Sequence, residues 1–531
     1  SDELRPSLTS MGSLARIGAI VGADFRIRFR RVSTVVIFLL LSAMAYAWIP
    51  APASGRALIQ INGHRALNTS GAVGLGTASI GMIFVGLFGF YVISNAIRRD
   101  IATRCGSVAA STPMRSFEYL LGKFIGNLAF LVTFLAGFML SSMAMLLVRG
   151  EGAFQPLVFI EQYLLLTPAA IVFVSAAAVL FESIPWLAGK FGDVVYFFLW
   201  AAVTGLVVGN EASHGRTSWA RCFDFTGFGF MIEQMQHVLH TDSVAIGSSP
   251  FDPTKAPIFF PGLTMTRDWI LPRLASVCFP LLFLPLALLF FHRFDPVRTR
   301  RTAEKSSRNW IGQVQSLGKP LSRRMVSLLG KRTDFDSLGS AIWSDAILTF
   351  TLSPLSLLAW LVVTIAALIA PLRDLLPIVF AVLAIVLADV ATRDARAGTM
   401  NSLRAISRLR EDYVWWKLGS ICLLSLLFCA VTILRTIPAG GFALLGLLGG
   451  IFFVAAIATA LGIATSNSKT FIVVFLSFWY LVVNDRGAHA LWDFAGFYGR
   501  AQVSTVTGYL LLSVVAICFA QIFYRTRLSR N

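Results

Sequence analysis

A chain that sets the same charged segment twice between long apolar runs has few ways to fold. Residues Arg98 to Lys123 read RRDIATRCGSVAASTPMRSFEYLLGK, and Thr392 to Lys417 read TRDARAGTMNSLRAISRLREDYVWWK. At an offset of 294, Arg99 meets Arg393, Asp100 meets Asp394, Glu118 meets Asp412, Tyr119 meets Tyr413 and Lys123 meets Lys417, with no gap. Upstream, Ala23-Asp24 and Phe29 meet Ser344-Asp345 and Phe350 at an offset of 321. The offsets differ by 27, the length of a polar, Gly-rich loop from Pro50 to Gly76 that has almost no counterpart in the second copy. One insertion reconciles both alignments, so the pattern predicts two copies of one module, fused.

Composition decides the setting. The chain is 56% hydrophobic and 14% charged, with a mean hydropathy of +0.73. A soluble protein of this size needs more polar surface, so a polytopic membrane protein is expected. The net charge of +18 raises nucleic acid as a partner, but the charges cluster at the ends of apolar runs, which is the positive-inside pattern. No signal-peptide architecture follows Met11-Gly12. Of the six cysteines, only Cys222 falls in an outside loop, so no disulfide framework is implied.

Taken in order, the chain predicts an amphipathic surface helix over 13–31 and spans near 32–49, 77–97, 124–147, 163–184, 194–209 and 269–291. An outside segment at 210–268 reads as short interfacial helices. Residues 292–334 form a basic linker, with eleven Lys or Arg from Arg293 to Arg332; it reads as an amphipathic segment on the inner leaflet or as a disordered tether. The second half, 335–531, repeats the plan with a surface helix at 335–352 and spans near 354–370, 374–391, 418–434, 442–464, 470–483 and 506–524. The outside loop with Trp492, Phe494, Phe497 and Tyr498 resembles a shortened copy of 210–268. The expectation is an all-α polytopic membrane protein of about twelve transmembrane helices in two homologous six-helix halves, 1–291 and 335–531. Both termini and most of the 45 Lys and Arg then lie inside.

Motifs for chemistry are scarce. Each Gly-Lys pair is followed by Phe, Phe, Pro or Arg, so no phosphate-cradling Gly-Lys-Ser/Thr loop exists. His237 and His240 with Asp242 fall short of an evident three-ligand metal set. Asn68-Thr69-Ser70 fits the glycosylation pattern. Polar groups within spans mark transport paths, and Asn95, Asn127 and Asp389 are the candidates, set against a plain inner interfacial position. Asn95 and Asp389 coincide at the 294 offset. A twelve-span secondary transporter is the competing class; it predicts several acids buried mid-span, which the pattern does not show. A membrane scaffold or sensor is a third reading, and it leaves the symmetric inner loops unexplained.

The repeated stretch resembles the coupling segment of the type-two class of ATP-binding-cassette (ABC) export permeases. The likeness rests on Asp100, Gly106, Ser111-Thr112-Pro113 and Tyr119-Leu120-Leu121-Gly122-Lys123, and on Asp394, Gly398-Thr399, Tyr413 and Lys417. The second copy departs at Ile406-Ser407 and at Trp415-Trp416. The resemblance implies an "elbow" helix and a cytoplasmic coupling helix in each half. It implies a transport subunit that is not itself an enzyme and binds no cofactor or metal. ATP and Mg sit on separate cassette ATPase subunits, two copies of which form the partner. Asp100, Thr112, Pro113, Glu118, Tyr119, Asp394, Asp412 and Tyr413 are the implied docking residues, with Asp100 and Asp394 expected to be exposed until the partner binds. The implied location is the bacterial cytoplasmic (inner) membrane. Aromatic and aliphatic spans fit an apolar or amphipathic cargo.

Overall fold

The computed structural model describes residues 12–30, six positions between 38 and 49, and 50–185, 187–212, 220–239, 244–291, 337–404, 407–485, 487 and 489–529. The expected first span at 32–49 falls largely outside these residues, and the linker 292–334 falls wholly outside them. Two compact units are formed, 1–301 and 302–531.

In the first unit, helix α1 (Ser13–Phe29) is followed by a small antiparallel sheet of β1 (Arg56–Ile61), β2 (His64–Arg65) and β3 (Val244–Pro250), in the order β2-β1-β3. The sequence reading placed only loop and short helices here. The hairpin between β1 and β2 turns on Asn62 and Gly63, both at positive φ, the conformation that Asn-Gly adopts most readily. Ala57, Leu58, Ile59 and Ile61 of β1 are buried. The strand therefore lacks the clean alternation that announces a half-exposed strand.

Helix α2 (Ser70–Phe84) opens on the Thr69 hydroxyl, which accepts the Ala72 N–H, so the second span starts earlier than expected. It passes through a π-helical turn at Val85–Gly89 and continues to Ile93. After a break come two short helices, α3 (Ala96–Ala102) and α4 (Cys105–Ser111). Helix α5 (Ser116–Arg149) has 34 residues, hence a length of about 51 Å. That exceeds the roughly 30 Å of a hydrocarbon core, so its charged ends reach beyond it. Then follow α6 (Pro156–Ser183), α7 (Lys190–Ala212), α8 (Phe228–Leu239), α9 (Arg267–Cys278) and α10 (Phe283–Phe290).

In the second unit, α11 (Leu338–Leu352) meets α12 (Pro354–Ile369) at a bend of 97°. The bend falls at Ser353-Pro354, where proline removes a helical N–H. Next are α13 (Leu372–Leu387), α14 (Arg393–Ala397), α15 (Met400–Arg404), α16 (Ser407–Thr436), α17 (Gly441–Thr465), α18 (Ser468–Asp485) and α19 (Val503–Ser529).

Among the described residues, seven helices are long and apolar enough to cross a membrane, or eight if the bent pair is one span. Two shorter apolar helices, Phe191–Val207 and Ser468–Val483, stand where the fifth and eleventh spans were expected. This is an all-α membrane protein with one small sheet.

Candidate functional site

In the first unit α1 lies along the start of α5. Ile20 packs against Gly122, where a Cβ would come within 3.0 Å of the isoleucine. Arg16 grips Glu118 through two hydrogen bonds, the shorter at 2.7 Å. About three turns further along α1, Arg28 donates to Asn127 at 2.6 Å and to the Ile93 carbonyl, and Phe29 meets Phe130 edge-on. At the centre is Lys123, with a side chain only 3% exposed. Its Nζ lies 3.0 Å from Asp24 and 2.6 Å from Asp100. Arg99 closes on Asp24 at 2.6 Å. Burial by itself would raise the Asp24 carboxyl, but Lys123, Arg28 and Arg99 outweigh it and hold it below its ordinary range. The Tyr119 hydroxyl donates to Asp100 at 2.8 Å, and its ring stacks on Phe291 at 5.4 Å. One junction thus ties together α1, the segment before α5, α5 itself and the residue after α10.

The second unit builds the same junction from the matching residues. Lys417, fully buried, sits 3.0 Å from Asp345 and 2.6 Å from Asp394. Arg393 reaches Asp345 at 3.1 Å and Thr349 at 2.8 Å. The Tyr413 hydroxyl donates to Asp394 at 3.2 Å, and its ring stacks on Tyr524 at 5.0 Å. The departure at Trp415-Trp416 has a local reason. Trp416 lies under the Lys417 ammonium at 4.1 Å and donates to the Ala341 carbonyl. Trp415 is exposed. Buried charges require partners of this kind, since an unpaired one costs several kcal/mol.

Two further contacts recur. Arg149, at the end of α5, donates to the carbonyls of Tyr46 and Ile49. Arg435, near the end of α16, donates to those of Ala367 and Ala370. The acceptor pairs are related by the 321 offset, and each arginine meets the negative end of a helix. The second contact is a turn that the sequence reading missed. Phe223-Asp224-Phe225-Thr226-Gly227-Phe228 matches Trp492-Asp493-Phe494-Ala495-Gly496-Phe497 at an offset of 269. Asp224 and Asp493 are both buried, and Gly227 and Gly496 both have positive φ. Asp224 accepts the Phe230 N–H; Asp493 accepts those of Tyr498, Arg500 and Ala501. Searching 210–268 and the loop before α19 for a shared Asp-Phe-x-Gly-Phe would have found it. Arg273, buried on α9, lies 3.8 Å from Asp224 and donates to the Leu165 and Leu166 carbonyls, just before the helix-breaking Pro168 of α6.

The expected docking residues divide. Asp100 and Asp394 were expected to be exposed, yet their side chains are only 16% and 14% accessible and are turned onto the lysines. Glu118 and Tyr119 are buried, as is Tyr413, and Asp412 is half-buried. Thr112 is half-buried and donates to the Ala109 carbonyl; Pro113 is exposed. The outward side of this segment carries Ile101, Val108 and Phe117 instead. Among the transport-path candidates, Asn127 is engaged by Arg28. Asp389 pairs with Arg396 at 2.8 Å. Asn95 sits at the break after α2 in the left-handed conformation. The glycosylation triplet is buried, with the Asn68 amide donating to the Pro50 and Arg149 carbonyls. The side chains of His237 and His240 lie outside the described residues, and among the described residues no group of three metal-ligating side chains occurs.

No family model, curated protein or solved structure matches this chain.

Proposed function

We propose that the chain is the membrane-spanning subunit of an ATP-binding-cassette exporter, with two homologous six-span halves fused and ATP hydrolysed on separate subunits. The observation that carries this reading is the junction made twice. In each unit a buried lysine bridges an aspartate of the elbow helix and an aspartate of the coupling segment. A tyrosine then links that aspartate to an aromatic ring at or just beyond the unit's last helix. Such a junction makes the inner end of each half a stiff lever, which is what rigid-body switching by an attached motor requires. The recurring arginine caps and Asp-Phe-x-Gly-Phe turns support the duplication. The two shorter apolar helices would bring the count to ten, and α13 and the segment near 32–49 would complete twelve.

In this reading the partner does not touch Asp100 or Asp394. It meets the exposed face of α3 and α4, where Ile101 and Val108 project and Phe117 adjoins. A central apolar anchor of this kind suits a protein–protein contact. Cargo would be apolar or amphipathic, and the membrane the bacterial cytoplasmic one with both termini inside. The test is capture of cassette ATPase subunits produced in the same cells. Wild type should retain it, and Val108→Glu should lose it with an unchanged melting temperature. The purified chain alone should hydrolyse no ATP. Robust hydrolysis by the chain itself, or failure of the wild type to bind any cassette ATPase, refutes the reading.

A further inference from the structure

The second span ends in an unusual way. Ser94 is extended and Asn95 has φ +81°, a left-handed conformation that Asn adopts more readily than most residues. This break frees the amides that open α3, and all four converge on one carboxylate. Glu182, next to last in α6, accepts the N–H of Asn95 at 2.5 Å, Ala96 at 3.1 Å, Ile97 at 2.6 Å and Arg98 at 3.4 Å. Backbone amides at a helix start carry partial positive charge and bind a carboxylate well. The same stretch of the second span is held again higher up. Tyr196 of α7 donates to the Gly86 carbonyl within the π-helical turn, and Tyr91 donates to the Asp193 carbonyl. The π turn and the left-handed break are therefore both held from α6 and α7 as well as by bonds within the span.

The second unit is built differently at this point. Asp389, the counterpart of Asn95, lies in a run of backbone turns in which Val390 N–H bonds to Leu387 O and Thr392 N–H to Asp389 O. Its carboxylate turns to Arg396.

We propose that Glu182 is a positioning residue: a latch that fixes the first coupling segment to the inner end of α6. Movement of α3 and α4 is then passed directly to that helix, by a connection made differently in the second half. The mechanical part of this inference stands on the geometry alone; the coupling part rests on the permease reading above. Hydrogen exchange separates the two. In the full chain, Glu182→Ala should speed exchange of the amides of residues 95–98 by about tenfold or more. Glu182→Gln, which keeps one acceptor oxygen and is expected to fold, should give a smaller increase. Amides in α5 near Lys123 should not change. In the complex with the cassette ATPase, trapping with ATP and vanadate should alter exchange in the last turns of α6 in wild type, and Glu182→Ala should abolish that response while the ATPase stays bound. Unchanged exchange at 95–98 in both variants overturns the latch. Faster exchange there with a wild-type vanadate response overturns the coupling role. If no ATPase binds the wild-type chain, the permease reading fails, and the exchange at 95–98 still decides the latch.

Discussion

Replacing Lys417 by Met removes the cation that bridges Asp345 and Asp394 while keeping most of the side-chain volume. Taking one partner from a buried ion pair costs about 3–5 kcal/mol, because the remaining charge is stranded. Lys417 is fully buried and the two aspartates are nearly so, so that range applies. Asp345 retains Arg393 at 3.1 Å, but Asp394 is left with the Tyr413 hydroxyl. The first unit is better insured. After Lys123→Met, Arg99 still contacts both Asp24 at 2.6 Å and Asp100 at 3.4 Å, so the loss should be about 1–3 kcal/mol. In a unit of this size each kcal/mol moves the midpoint by about 2–4 °C. Lys417→Met should therefore lower Tm by about 6–20 °C, and Lys123→Met by clearly less. Thermal unfolding in detergent followed by tryptophan fluorescence reads the loss, with Trp416 against the lysine as one of the chain's twelve tryptophans. Adding Asp394→Asn to Lys417→Met should recover much of the loss, because Asp345 and Arg393 still pair and no carboxylate is then stranded. The reasoning fails if both lysine variants melt within a degree or two of wild type. It also fails if Lys123→Met is the more damaging.

Two other outcomes follow from the same geometry. The Asp24 carboxyl is held below its ordinary range, so its contribution to stability is complete above about pH 4 and drains away as pH falls through the lower folded value; Tm of the Asp24→Asn protein should change less between about pH 5 and pH 3 than wild type does, and an identical profile would refute this. Cys222, half-buried in the segment between α7 and α8, should react with an impermeant thiol reagent added outside intact cells, whereas the exposed Cys105 at the start of α4 should react only after the cells are opened; labelling of Cys105 from outside would invert the proposed topology.

What the sequence disclosed and what it hid divide along physical lines. The long apolar runs were legible because a bilayer demands continuous hydrophobicity over about 20 residues. The residues of the junction were legible because five of them recur in register. Their orientation was not: a repeated Asp reads the same whether it faces a partner or a lysine 23 residues further on, and only folding brings Asp24 against Lys123. The sheet was missed because β1 is buried on both faces and shows no alternation. Glu182 was missed because a single carboxylate at the end of an apolar run carries no periodic signal. The paired Asp-Phe-x-Gly-Phe turns were within reach, but they recur at a third offset, which an alignment anchored on the inner loops does not test.

The small sheet sets an order of events during synthesis. β1 pairs mainly with β3, which lies about 180 residues later in the chain. At translation rates of about 5–20 residues per second, β1 waits roughly 10–40 s for its partner. The Asn62-Gly63 turn lets β2 and Ala66 fold back on it at once, but they pair only with Ile59, Gln60 and Ile61. Until β3 emerges, several apolar segments must be threaded across the bilayer while Ala57 and Leu58 remain unpaired. A ribosome stalled anywhere between the two strands would leave that edge open to passing chaperones and proteases.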